Sequence, residues 1–492
     1  MSLLVTALSC SRAPDPSILR VQLSAEPVSL DPALSEDGVS MQVLGNTMEG
    51  LVGYDGSGRL QLRLAQSYQV SKDRKRYEFQ IRPDAKWSDG KPVMAADFVA
   101  GIRRAIGPGS LSKLLPLVRV IRTVRDEDGK LVIELSEPVS YFLEAMSLNL
   151  AMPVRADLLE KNHNNWSDQF PTTGPYKITQ HILEQKIVLE KNPFSTRPVS
   201  IPKVEMQIVS DESTGVNIFD RQQLDILSKV PPTELPRYRQ KNILHTDPFY
   251  AVYYLAFNVK KPPFDDVEVR RVIATSIQKS EIVVVLASGE RVAQSWIPVG
   301  LEGSFSDPIP GFYPRPESEV AHAKQVLAKS GVIHAGFDTS SRNSMILEKV
   351  QGDLKKELGA QLDLSNQDWK SYIKSIQTNA PEIYRFGWLA PFNDPITHFN
   401  VFTTGNPNNY SNWSNPEYDK LVQSIRTLAP GKDRDAAMKK AQYLLERDEA
   451  VVIPLYHYVQ NHLVSPRVQN FAVNPYGVVH FDELKLLPVS KN

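Results

Sequence analysis

Arg385 sits in the run Tyr384-Arg385-Phe386-Gly387-Trp388-Leu389-Ala390-Pro391-Phe392-Asn393-Asp394-Pro395, a single cation among aromatic and aliphatic side chains. Leaving a guanidinium buried and unpaired costs about 3–5 kcal/mol, so this residue requires an acid. Two sources are open: a carboxylate of the chain itself, Asp394 for one, or a carboxylate carried by a bound molecule. Gly387 leaves room for a second backbone to approach, and Trp388 offers a flat wall. The local chemistry is that of a binding edge for an acidic or peptide-like molecule, or of an edge strand whose Arg is paired internally.

Catalytic patterns are missing. The chain contains no Gly-x-Ser-x-Gly elbow, no His-Glu-x-x-His helix and no Gly-x-x-x-x-Gly-Lys-Ser/Thr phosphate loop. His457 and His462 are five residues apart on a predicted strand, so they point to opposite faces and read as surface or core residues rather than metal ligands. No cofactor and no metal are expected, and a peptidase is a minor alternative. The sole cysteine, Cys10, follows a short apolar stretch as Ala7-Leu8-Ser9-Cys10, similar to a bacterial lipoprotein cleavage box, with a polar, proline-containing tether after it. The expectation is a lipid-anchored or exported protein, with lipidation at Cys10.

The elements that position this chemistry are those of a large, mixed chain. At 492 residues, two or three lobes are expected. Lys plus Arg and Asp plus Glu both number 56, so no global field recruits nucleic acid or an anionic membrane. No apolar run reaches the roughly 18 residues of a membrane span. Alternation predicts strands over 19–23, 77–81, 131–135, 186–190, 202–209, 252–258 and 451–456. Helical spacing predicts helices over 95–106, 317–329, 344–358, 416–426, 433–446 and one long helix over 267–289. Strands and helices alternate irregularly, which is an α/β pattern in several lobes.

Several stretches taken together resemble family 5 of the extracellular solute-binding proteins, the oligopeptide- and dipeptide-binding receptors of peptide importers. Leu30-Asp31-Pro32, Glu49-Gly50-Leu51, Trp87-Ser88-Asp89-Gly90-Lys91-Pro92, Thr173-Gly174-Pro175-Tyr176-Lys177, Gln367-Asp368-Trp369, Arg385-Phe386-Gly387-Trp388 and Asp394-Pro395 carry the resemblance. It implies a type II periplasmic-binding-protein clamshell of two lobes with an inserted subdomain. The implied division is a signal and tether over 1–17, a discontinuous lobe I over 18–48, 155–250 and 462–492, subdomain II over 49–154 and lobe III over 251–461. It also implies a periplasmic or cell-envelope location, an inner-membrane ABC permease as partner, a short peptide as ligand and a monomeric receptor. The guest would add as a strand to protein edges, one at Gly387, Trp388 and Leu389 and another at Glu36-Asp37-Gly38. Trp369, Trp388 and Tyr254 would wall side-chain pockets, Ser228 and Lys229 would line the cleft, and Arg385 would await a carboxylate from outside.

The chain also departs from that family. Pro391 stands where peptide-binding members place the Asp that holds a guest's free ammonium, while Asp394 matches a second acid that supports the turn. The loss of a charge-assisted bond there is worth about 1.5–3 kcal/mol, so selection of a free peptide amino end is not expected. A family cysteine pair falls at Ala251 and Leu389, and a carboxyl-binding His aligns near Asn343. The same fold holding a metal chelate, haem or oligosaccharide is the alternative, with a scaffold that no longer transports as a lesser one.

Overall fold

The computed structural model describes residues 15–35, 37–108, 112 and 114–487; Cys10 and Glu36 lie outside the described residues. Its backbone is an eleven-stranded sheet. Ten strands run in the order Gln361–Gln367, Val332–Asp338, Ile383–Leu389, Leu244–Phe257, Val452–Val464, Ile226–Leu227, Ile18–Leu23, Lys203–Ile208, Lys186–Lys191 and Tyr176–Ile182, and Arg291–Val292 pairs beside Val452–Val464. A separate four-stranded sheet forms from Ala65–Val70, Arg76–Ile81, Lys130–Leu135 and Ile121–Glu127.

Two strands carry the chain from one half to the other. Leu244–Phe257 and Val452–Val464 run antiparallel from Leu244↔Leu463 to Ala256↔Val452, and their register is interrupted between Pro248 and Val252. Val452–Val464 also reaches Ile226–Leu227 at its far end. The buried apolar residues do not divide along that line: one cluster runs from Leu19 through the four-stranded sheet to Trp296 and Phe402, a second gathers Tyr253, Leu255, Ile333, Leu347 and Leu455, and a small third holds Phe219, Tyr238 and Leu463. Tyr254 and Tyr253 fall in different clusters because adjacent strand residues face opposite ways.

Local rules explain several helix ends. The 95–106 helix forms as expected, as Ala95–Ile106; Asp97 accepts from the Met94 amide (2.9 Å) and from the Trp87 indole (3.1 Å), tying the Trp87-Ser88-Asp89-Gly90 turn to its first turn. Gly101 is a close approach, since a Cβ there would lie 2.1 Å from the Met152 carbonyl oxygen. The expected helix over 267–289 is instead two, Val267–Ser276 and Lys279–Leu286. Ile277 is extended, and the Gln278 amide donates to the Asp353 carboxylate (3.0 Å) in place of a helical carbonyl. Periodicity could not show a carboxylate arriving from 75 residues away. The expected 433–446 helix is α-helical over Lys432–Gln442 and continues as a wider π turn over Tyr443–Asp448. Among the described residues no helix is long and apolar enough to cross a membrane.

Candidate functional site

Ile383–Leu389 lies between two unequal neighbours. On one side it pairs antiparallel with Leu244–Phe257 through its whole length, Ala251↔Leu389 to Phe257↔Ile383. On the other it pairs with Val332–Asp338 only at Ala335↔Ile383 and Gly336↔Tyr384. In an antiparallel ladder alternate residues bond the partner and the rest turn away. Ala390 donates to the Tyr250 carbonyl (2.8 Å), which places the even-numbered residues against the long strand. The Arg385 carbonyl accepts from the Tyr372 hydroxyl (2.6 Å) on the opposite side. The N–H and C=O of Gly387 and Leu389 therefore point outward, along an edge that no backbone group among the described residues occupies. Both are half-buried.

The even-numbered face is aromatic. Trp369 is 53% exposed and stacks on Phe386, with centroids 5.9 Å apart. The Trp388 indole N–H is buried and has no hydrogen-bond partner among the described residues. Trp369 and Trp388 lie beside that edge, whereas Tyr254, expected as a third pocket wall, is 1% exposed and packs edge-on against Trp296, Phe386 and Phe402. It is core, because register turns it inward.

Arg385 corrects a second expectation. It does not wait for an outside acid: its guanidinium pairs with the Asp338 carboxylate, lies 4.7 Å over the Tyr253 ring and donates to the Tyr458 hydroxyl (3.3 Å). The Arg385 and Asp338 side chains are 12% and 16% exposed. Asn343 is also taken. It is 2% exposed, donates to the Asp338 carbonyl (3.0 Å) and accepts from the Tyr253 hydroxyl (3.2 Å), so it braces the ion pair rather than offering itself to a guest. Its neighbour Arg342 is the more open cation at 31%, paired with a buried Glu290 (2.5 Å). Asp338, Tyr458 and Arg342 were missed in the sequence; the alternating run Val332 to Asp338 was the available signal.

The remaining expected residues are scattered. The Ser228 and Lys229 amides both donate to the Gln22 side-chain oxygen (3.0 and 2.9 Å), leaving the Lys229 side chain exposed. Gly38 opens the helix Gly38–Thr47, whose cap is Asp37, with open space where a side chain would stand.

Pro391 borders a cavity of about 90 Å³ together with Tyr54, Glu49, Arg63, Arg197 and Tyr476. Two guanidinium groups face one carboxyl there, and Glu49 is already paired with Arg197 (3.4 Å). Burial pushes the Glu49 carboxyl above its ordinary range. The turn beyond Pro391 is held from both halves. Tyr54 accepts from the Asn393 amide (2.9 Å) and bonds the Glu144 carboxyl, Tyr141 stacks on Phe392 at 5.6 Å, and Asp394 binds Arg434 through both oxygens at 2.7 Å. Glu137 meets Arg426 (3.3 Å) and Gln423 (2.8 Å) across the same divide. Among the described residues no cluster of three His, Cys, Asp or Glu side chains could hold a metal ion.

The family model described as "Bacterial extracellular solute-binding proteins, family 5 Middle" matches residues 59–410. The oligopeptide-binding protein of Bacillus subtilis is 30% identical over 94% of this chain and 91% of its own length. The structure of the Haemophilus influenzae oligopeptide-binding protein in complex with the peptide RPPGFSPFR superposes with a TM-score of 0.84 at 25% identity, covering 96% of this chain and 99% of that one. The murein tripeptide-binding protein of Escherichia coli gives 0.84 at 26% identity, over 96% and 98%, and 0.77 in its unliganded open form, over 97% and 99%. The fold is that of the two-lobed periplasmic binding proteins.

Proposed function

The chain belongs to family 5 of the bacterial extracellular solute-binding proteins, and we propose that it is the receptor of an ATP-driven peptide importer. A short peptide lies extended along residues 387–389 and is held mainly by its backbone. The observation that carries this reading is the outward-facing pair of N–H and C=O groups at Gly387 and Leu389, beside the exposed Trp369 and the unpartnered Trp388 indole. Each main-chain bond contributes about 1 kcal/mol net, so several are needed to overcome the cost of association. Sequence-tolerant binding follows, because every peptide carries the same backbone.

The expected contact between Arg385 and a guest's carboxylate is set aside, since Asp338 fills that role. Pro391 and the cationic lining of its cavity support a receptor that does not select a free amino end. The register break between Pro248 and Val252 supports a boundary between lobe I and lobe III near residue 250, with closure as a hinge motion biased by a guest that touches both. Delivery to an inner-membrane permease, and a place in the periplasm or on the cell envelope, complete the proposal.

Native mass spectrometry of the protein purified from cells, followed by resynthesis of the retained peptide, tests it. Replacing the amide that faces Gly387 by an ester removes one donor and should weaken binding about fivefold, whereas N-acetylation should change it less than about threefold. A preference for the free amine of about a hundredfold or more would sink the Pro391 argument, and indifference to the ester would turn the reading toward a non-peptide guest.

A further inference from the structure

A larger cavity, about 390 Å³, lies within lobe III and shares no lining residue with the edge at 387–389 or with the Pro391 pocket. It sits where the expected long helix breaks: Thr275, Ile277, Gln278 and Lys279 form one wall, Val292 to Gln294 a second, and Pro308, Ile309 and Phe312 a third. Pockets of about 300–1,000 Å³ hold small molecules.

Its charges are unusual. Glu446, on the π turn Tyr443–Asp448, is 3% exposed and lines the cavity, with one carboxyl oxygen accepting from the Trp296 amide (2.8 Å). Lys279, at the first turn of its helix, holds its ammonium 5.6 Å from the Phe312 ring centre. The two groups attract one another, yet among the described residues Lys279 forms no ion pair within 4.0 Å. Burial pushes the ammonium downward and the carboxyl upward from their ordinary values, the mutual attraction offsetting part of each shift. The cavity is partly open, with Gln278 and Ser280 exposed at its rim, Lys279 half-buried and Glu446 buried; a cation and an acid left without partners in such a space are each costly, and a molecule carrying both charges satisfies both.

We propose that this cavity is a second binding site, which takes a small zwitterion of amino-acid size, its carboxylate on Lys279 and its ammonium on Glu446. Ile277, Val292, Ile309 and Phe312 supply an apolar wall for a side chain. The site does not depend on the peptide edge, so the two can be occupied together.

Titration calorimetry with glycine, leucine, phenylalanine, leucine amide and N-acetylleucine tests this on the whole protein. At least one free amino acid should bind saturably, and both blocked leucines should bind about tenfold or more weakly, the loss expected for one charge-assisted bond. Lys279→Met and Glu446→Gln should each lose about the same factor, Lys279→Arg should retain most of the affinity, and the retained peptide should bind all three variants within about twofold of the parent. Unimpaired peptide binding shows that the variants fold. No saturable amino-acid binding, equal binding of N-acetylleucine, or binding unchanged in Lys279→Met would overturn the proposal.

Discussion

On the proposed reading, Asp338 and Arg385 decide whether a guest is read by its charge or only by its backbone. Both side chains are largely buried, at 16% and 12% exposure, so the pair is little screened by solvent. Asp338→Asn leaves the guanidinium with the Tyr458 hydroxyl and the Tyr253 ring face as its neighbours. Breaking such a pair by removing one partner costs about 3–5 kcal/mol, whereas replacing both charges is often nearly neutral. Asp338→Asn and Arg385→Gln should each be destabilised on that scale, and the double variant should be no less stable than either single variant instead of showing the sum of their losses. Urea unfolding of all four proteins measures this.

Binding is the more telling assay. If the pair only holds the strand, the double variant binds the retained peptide within about threefold of the parent. If Arg385 in fact received a guest carboxylate, Asp338→Asn would free that cation and tighten binding, and the double variant would lose about 1.5–3 kcal/mol, some ten- to a hundredfold. Either result, with unfolding showing an intact protein, would refute the assignment of Arg385 to strand support.

Two more perturbations address the interface between the halves. Glu137→Ala removes the contacts to Arg426 and Gln423; with Glu137 36% exposed and Arg426 19%, the loss is about 0.5–1 kcal/mol after screening. Small-angle scattering should show a larger radius of gyration and peptide affinity should fall about two- to fivefold, so no change in either would remove this contact as a latch. Burial raises the Glu144 carboxyl from 4.5 to about 7, with a bond to Tyr54 opposing the shift. A raised acid contributes stability that is full below its unfolded value and is lost as pH climbs through its folded one. Relative to Glu144→Gln, the parent should therefore lose up to about 1.4 kcal/mol per pH unit between pH 4.5 and 7; parallel pH profiles would contradict it.

The sequence carried the site strand and its neighbours further than it carried individual side chains. The inference that Ala251 and Leu389 occupy a paired position came from resemblance alone, and the register places them directly opposite one another. Gly387 and Leu389 were legible as an edge because the strand and its aromatics are local. Tyr254 was not, because Tyr253 and Tyr254 are equally good strand residues and only the pairing register says which faces Arg385. The same one-residue ambiguity separates the buried Asn343 from the more open Arg342. The partner of Arg385 was the hardest to read. Asp394, nine residues away, was the local candidate, yet it binds Arg434 forty residues on, and Asp338 reaches Arg385 from a strand 47 residues earlier. Long-range charge pairing leaves no periodic trace in a sequence.

These pairings change what a guest must bring. With Arg385 neutralised by Asp338 and Pro391 in place of an acid, neither end of an extended peptide meets a fixed opposite charge at the positions first expected to supply one. Main-chain bonding repeats every two residues along a strand, so a guest can shift by two and form the same bonds with Gly387 and Leu389. A terminal ion pair would penalise that shift; on the proposed reading Trp369 and Trp388 wall side-chain space and would penalise it only through fit. The retained material in the native spectrum is therefore expected as a ladder of peptide lengths rather than one mass. A single length bound to the exclusion of its neighbours would mean that some group outside the Gly387–Leu389 edge fixes an end of the guest, and the exposed ammonium of Lys229 and the half-open guanidinium of Arg342 would be the first to replace.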